Sequence, residues 1–217
     1  MKKMVLLIAA VCFAALCFNG LGASTPATAA KAPSNASTNV SALAKTTSTA
    51  NLLIEDSGTN LSIMNATFYS PRIFGLAQAV KFTPPKAGWK LERVLILGTD
   101  GWNSSQKDNP VQGIFSVEIR DAALKLLYQY ADTQLDYFTS ANGARTAMID
   151  IPAIAMNGDF YVCFYGRDVV RTYTELQNST GHSYYYIRDS GLVGPGSIPL
   201  KDNATLPVNW VIRAIGE

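Results

Sequence analysis

The chain has 217 residues, 48% hydrophobic and 10% aromatic, enough to bury the core of a packed domain. Charged residues are 16%, against about a quarter in typical domains, which excludes a disordered polyelectrolyte and a coiled coil. Lys and Arg number 18 against 16 Asp and Glu, so nothing electrostatic points to nucleic acid, and the single histidine, His182, excludes any site that needs two.

Met1 to Ala30 reads as a secretory signal peptide. Lys2 and Lys3 precede an uncharged apolar run from Met4 to Phe18, and Ala27-Thr28-Ala29 fits an A-x-A cleavage site. The run of about 15 residues falls short of the roughly 20 that span a bilayer, so a membrane would be met only through an uncleaved leader. Residues 31–50 are rich in Ala, Ser and Thr with Lys31 and Lys45 as their only charges, the composition of a disordered linker or glycosylated stalk. Cys12 and Cys17 leave with the leader, and Cys163 alone closes no intrachain disulfide. Inside Phe160-Tyr161-Val162-Cys163-Phe164-Tyr165 it reads as a small buried hydrophobe, reduced and sheltered, rather than a nucleophile.

Asn-x-Ser/Thr sequons stand at Asn35, Asn39, Asn60, Asn65, Asn103, Asn178 and Asn203, seven of thirteen asparagines. The Ser and Thr content alone would produce roughly two, so the excess points to N-glycosylation and export to the cell surface or beyond. Asn60 and Asn65 are an odd number of residues apart. One unbroken strand would send them to opposite faces, so either the chain bends near Ser62 to Asn65 or only one carries a glycan.

From residue 51 to 217 the sequence changes to short alternating runs, the pattern of a single β-sandwich domain. Ser62 to Tyr69 reads as an early strand. Gln78, Val80 and Phe82 alternate with Ala77, Ala79 and Lys81 until Pro84-Pro85 ends the run, and Val94-Leu95-Ile96-Leu97 suits an interior strand. Between Thr99 and Asn109 lies a polar loop in which Asp100, Asn103 and Asp108 offer oxygens around Trp102. Such oxygens suit a hard cation such as calcium, although the regular D-x-D-x-D-G spacing is missing and a plain glycosylated loop is the competing reading. Trp102 also makes this loop the place where a small ligand is expected, at a sheet end.

Phe115, Val117 and Ile119 alternate with Ser116, Glu118 and Arg120 as a half-buried strand. Asp121 to Ala131 fits helix and strand templates alike, and its neighbours favour a strand turned at Asp121-Ala122-Ala123. Ile149 to Pro152, Phe160 to Tyr165 after the Asn157-Gly158-Asp159 turn, Ser183 to Ile187 and Asn209 to Ile215 complete the strands. Tyr185 points opposite to Tyr184 and Tyr186, so at least one face is expected to pack in the core, with Tyr184 and Tyr186 a candidate stacking platform for a sugar as the lesser alternative. Arg213 reads as a partly buried charge, satisfied by a nearby carboxylate or by carbonyls. Asp150 and Asp159 suit structural roles better than a glycosidase acid pair, and P-loop, paired-cysteine and G-x-S-x-G patterns are absent. Eight to ten strands with no alternating helices make an all-β, antiparallel two-sheet sandwich.

Ile149-Asp150-Ile151-Pro152, Asn157 to Val162, Phe164-Tyr165-Gly166, Gly181 to Tyr186 and the closing Asn209 to Ala214 resemble, in order, a segment of secreted archaeal and bacterial surface proteins. The stretch from Ala77 onward is similar to the jelly-roll-like β-sandwich modules of that group. The resemblance implies a fold and a place at the cell surface, and carries no catalytic residue. Two functions are therefore expected: a non-catalytic envelope or adhesion module that contacts cell-envelope proteins, or a lectin-like module that binds polysaccharide. Dense glycosylation favours the first, and no cofactor beyond the calcium considered above is implied.

Overall fold

The computed structural model describes residues 50–217; the leader, Asn35, Asn39, Cys12, Cys17 and the linker up to Thr49 lie outside the described residues. In chain order the strands are β1 (Asn51–Ile54), β2 (Ala66–Tyr69), β3 (Leu76–Phe82), β4 (Trp89–Thr99), β5 (Ile114–Asp121) and β6 (Leu126–Thr133). After the one-turn helix α1 (Leu135–Phe138) come β7 (Arg145–Met156), β8 (Phe160–Tyr165), β9 (Arg171–Glu175), β10 (Ser183–Ile187) and β11 (Gly191–Val193). The chain closes with β12 (Ser197–Pro199), β13 (Thr205–Pro207), β14 (Asn209–Trp210) and β15 (Ile212–Gly216).

These strands form an all-β, two-sheet antiparallel sandwich. The seven-stranded sheet runs β1-β15-β4-β9-β14, with β2 beside β9 and β7 beside β4, and the six-stranded sheet runs β11-β10-β3-β8-β5-β6. The inner faces meet in one core, where Val80, Phe82, Val117, Ile119 and Val162 of the six-stranded sheet pack with Leu91, Val94, Ile96, Ile149 and Ile212 of the other. Period-two alternation produces this directly, because residues at i and i+2 share a face. In β4 the period is interrupted by a register shift between Leu91 and Arg93. That shift lets Trp89 and Leu91 face inward together with Val94 and Ile96, all four of them fully buried.

Strand number exceeds the eight to ten expected, and the reasons are local. Asn209 to Ile215 breaks at Val211: β14 pairs with β9, whereas β15 pairs with β1 and β4. The short β12–β13 ladder is a separate hairpin. Ser62 to Tyr69 is not one strand. Ile63 and Met64 donate their N–H groups to the Asn60 carbonyl, so the chain turns before β2 begins, and Asn60 and Asn65 are both exposed. The ambiguous stretch is a strand, entered through a turn in which Leu124 N–H donates to the Asp121 carbonyl. Arg213 finds its carboxylate in Asp56, which accepts from Nε at 2.8 Å and Nη2 at 3.0 Å.

The half-buried reading of β5 needs correction, because Ser116, Glu118 and Arg120 are also buried. The outer face of the six-stranded sheet carries its own cluster, formed by Ala77, Ala79, Tyr161, Cys163, Tyr165 and Tyr186. Cys163 stands opposite both Glu118 and Ala79, and burial pushes its thiol up. The Glu118 carboxylate accepts hydrogen bonds from Arg120 Nε (2.9 Å) and Nη2 (2.7 Å), Tyr165 Oη (3.0 Å) and Arg188 Nη2 (2.6 Å). Burial raises its pKa, but the hydrogen bonds from Arg120 and Arg188 outweigh burial and hold it below the ordinary value.

A carboxylate with a depressed pKa stabilises the fold above the unfolded-chain value and loses that contribution as pH falls through the folded one. Glu118→Ala leaves Arg120 buried without its partner and should cost about 3–5 kcal/mol at neutral pH. Thermal melts from pH 7 downward should show the gap between parent and variant closing below about pH 4. A gap that stays constant through acidification would contradict this role.

Candidate functional site

The polar segment after β4 is an anchored loop rather than a free one. Thr99 Oγ1 accepts from Gly101 N–H and Asp100 Oδ1 from Trp102 N–H, each at 2.9 Å, so short side chains close the first turn. Asp100 Oδ2 accepts from Thr139 Oγ1 at 2.5 Å, just beyond α1. Farther along, the buried Gln134 works as a bracket. Its Oε1 accepts from Gly113 N–H at 2.7 Å, and its Nε2 donates to the Val111 carbonyl at 2.6 Å. Trp102 is oriented by its own hydrogen bond, Nε1 to the Asp108 carbonyl at 2.9 Å.

This loop and the β8–β9 connection enclose an open depression of about 510 Å³, lined by Asp100, Trp102, Gln106, Asp108, Asp168 and Arg171 among others. The size is in the range of about 300–1,000 Å³ common to small-molecule sites. Gly101 shapes its wall. Its φ is +87°, and a Cβ there would sit 2.3 Å from Arg171 Nη2, so only glycine lets the guanidinium lie across the backbone. Asp108, Asp168 and Arg171 make no side-chain hydrogen bond or ion pair among the described residues.

The structure therefore unites Asp100, Trp102 and Asp108 as the sequence implies, and adds Gln106, Asp168 and Arg171. Asp168 and Arg171 come from a different part of the chain, so no local motif announces them. Asn103 stays outside the lining, its Oδ1 occupied by Ser105 N–H and Oγ, and the two Asp100 oxygens accept from Trp102 N–H within the loop and from Thr139 Oγ1 beyond α1. Of the residues considered for calcium, Asp100 and Asp108 line the depression and Asn103 does not. Among the described residues no group of three or more His, Cys, Asp or Glu side chains is placed to hold a metal ion.

Tyr184 and Tyr186 also stand apart from this depression, on the outer face of the six-stranded sheet. Tyr186 is not an open platform, because it is 3% exposed with the Arg120 guanidinium 4.5 Å from its ring centre. Tyr184 is half-buried, edge-on to Tyr161 at 6.2 Å. Tyr185 points the other way, as alternation requires, and packs on Trp210 at 5.3 Å. Asp150 pairs with Arg93 at 3.0 Å, Asp159 with Lys81 at 2.7 Å, and His182 contacts Glu55.

No family model and no curated protein matches the chain. Among solved structures it is similar to an arabinose-bound α-L-arabinofuranosidase at 15% identity and a TM-score of 0.26, over 71% of this chain and 26% of that one. The chain spans about a quarter of the length of that enzyme, and a likeness this low carries no argument.

Of the three indoles in the chain, Trp89 and Trp210 are wholly buried and Trp102 is half-buried beside the depression. Iodide should quench one emitting class, and Trp102→Phe should remove that class without changing the rest. Uniform quenching of all three, or quenching insensitive to the substitution, would contradict the placement.

Proposed function

We propose that this chain is a non-catalytic, exported and N-glycosylated protein of the cell surface, a β-sandwich module that works by contact with envelope proteins or polysaccharide. The observation that carries this reading is where the sequons lie. Asn60, Asn65, Asn178 and Asn203 are exposed and Asn103 is half-buried, and all five stand in turns or loops outside the strands. A glycan on any of these loops leaves the strand ladders untouched. The fully buried asparagine, Asn209, belongs to no sequon; its side chain bonds Glu175 and the Asn178 carbonyl instead.

The leader from Met1 to Ala30 and the resemblance to secreted surface modules support the same reading. Asp150 and Asp159, the acid pair weighed from the sequence, are each held in an ion pair and stand apart from the depression. The depression beside Trp102 favours polysaccharide as one class of contact, since it joins an aromatic ring to several hydrogen-bonding groups.

Expression of the whole chain, leader included, in a host with N-glycosylation tests the proposal. The chain should leave the cytoplasm without its leader, and intact-glycopeptide mass spectrometry should find Asn60, Asn65 and Asn178 occupied. A chain kept in the cytoplasm with unmodified asparagines would overturn it.

A further inference from the structure

We infer that the depression between the β4–β5 loop and the β8–β9 connection binds the hydroxyl groups of a neutral saccharide chain, with Trp102 as the apolar wall and Asp108, Asp168 and Arg171 as the hydrogen-bonding groups. This rests on the reading of the chain as a contact module and names the chemistry of that contact.

Charge and donor type favour a ligand rich in hydroxyl groups. Asp108 and Asp168 only accept hydrogen bonds when ionised, and Arg171 only donates. An anionic ligand would meet three carboxylates, Asp100, Asp108 and Asp168, against the single guanidinium of Arg171, which disfavours it. A hydroxyl both donates and accepts, so neighbouring hydroxyls on one sugar ring satisfy both kinds of group. Gln106 has an amide that donates through Nε2 to the Gly101 carbonyl at 3.2 Å and keeps its oxygen for a further donor.

The site is also pre-organised, which reduces the ordering cost of binding. Trp102 is fixed at both its backbone N–H and its indole N–H. Gly101 leaves the space in which the Arg171 guanidinium lies, and Gln134 brackets the far end of the loop. The depression is open and its free polar groups are exposed, so a sugar residue within a chain can enter while its neighbours remain in water. The smaller cavity of about 50 Å³ beside Ile73 and Phe74 shares Asp168 but lies below the size common to small-molecule sites.

The test uses the secreted chain and an array of neutral polysaccharides spanning glucans, galactans, mannans and xylans, with polygalacturonate and chitosan as the anionic and cationic controls. At least one neutral polysaccharide should retard the protein in affinity electrophoresis and shield Trp102 from iodide. Asp108→Ala, Asp168→Ala and Arg171→Ala should each weaken that binding about tenfold or more, with melting temperature unchanged. Should Arg171→Ala alter the fold, Arg171→Lys keeps the charge, loses the planar fork and should weaken binding in a folded protein.

Failure of every neutral polysaccharide would overturn the inference, as would binding that survives all three substitutions or a preference for either charged control. Capture of a glycan-free envelope protein through the same three residues would overturn the saccharide assignment. Each of these outcomes leaves export and glycosylation, measured separately by glycopeptide analysis, to decide the broader reading.

Discussion

The loop that forms the depression is held by an aromatic cluster built round Phe115. That ring is fully buried and meets Tyr130, Tyr137, Phe138 and Phe164 at centroid distances between 5.1 and 6.2 Å, with Phe138 at 90° to it. Edge-to-face packing of this kind orients rings as well as burying them. Phe138 and Tyr137 belong to α1, a single turn too short to be stable by itself. Docked on Phe115, α1 places Gln134 at its start and Thr139 at its end, and these two residues hold the loop at Gly113 and Asp100. The chain of dependence runs from core packing to a short helix, then to side-chain brackets and finally to Trp102.

The six-stranded sheet faces a second demand, since both of its faces are covered. Inside, it is apolar. Outside, small side chains at Ala77, Ala79 and Cys163 form a floor on which tyrosines and two arginines lie. Burying Glu118 there is acceptable only because four hydrogen bonds reach its two oxygens. Arg188, just beyond β10, supplies one of them, so the β10–β11 end of the sheet is tied to β5 across β3 and β8. This face is therefore a locked surface, and the loop end remains the accessible one.

Much of the fold was legible because alternation is a local signal. Phe115, Val117 and Ile119 face the core as read, Tyr185 opposes its two neighbours, and the turn near Asp121 divides β5 from β6. The loop around Trp102 was legible too, from its polar composition at the end of an apolar strand. What escaped depends on partners far along the chain. Glu118 and Arg120 look like a solvent face until Tyr165 and Arg188, 47 and 70 residues from Glu118, cover them. Asp168 and Arg171 reach the depression only through the sandwich topology. Strand number was hidden by the break at Val211, a change of partner rather than of composition, and by the separate β12–β13 hairpin.

The loop from Asp100 to Gly113 is a preformed wall and not a mobile connection. Residue-resolved amide hydrogen exchange by NMR tests it most directly. The N–H groups of Gly101, Trp102 and Gly113 donate to Thr99 Oγ1, Asp100 Oδ1 and Gln134 Oε1, so these three should exchange far more slowly than unprotected peptide amides. Substituting Gln134 by Ala should release Gly113 first. Exchange of all three at the rate of a free chain, in protein whose strand amides are protected, would contradict the account.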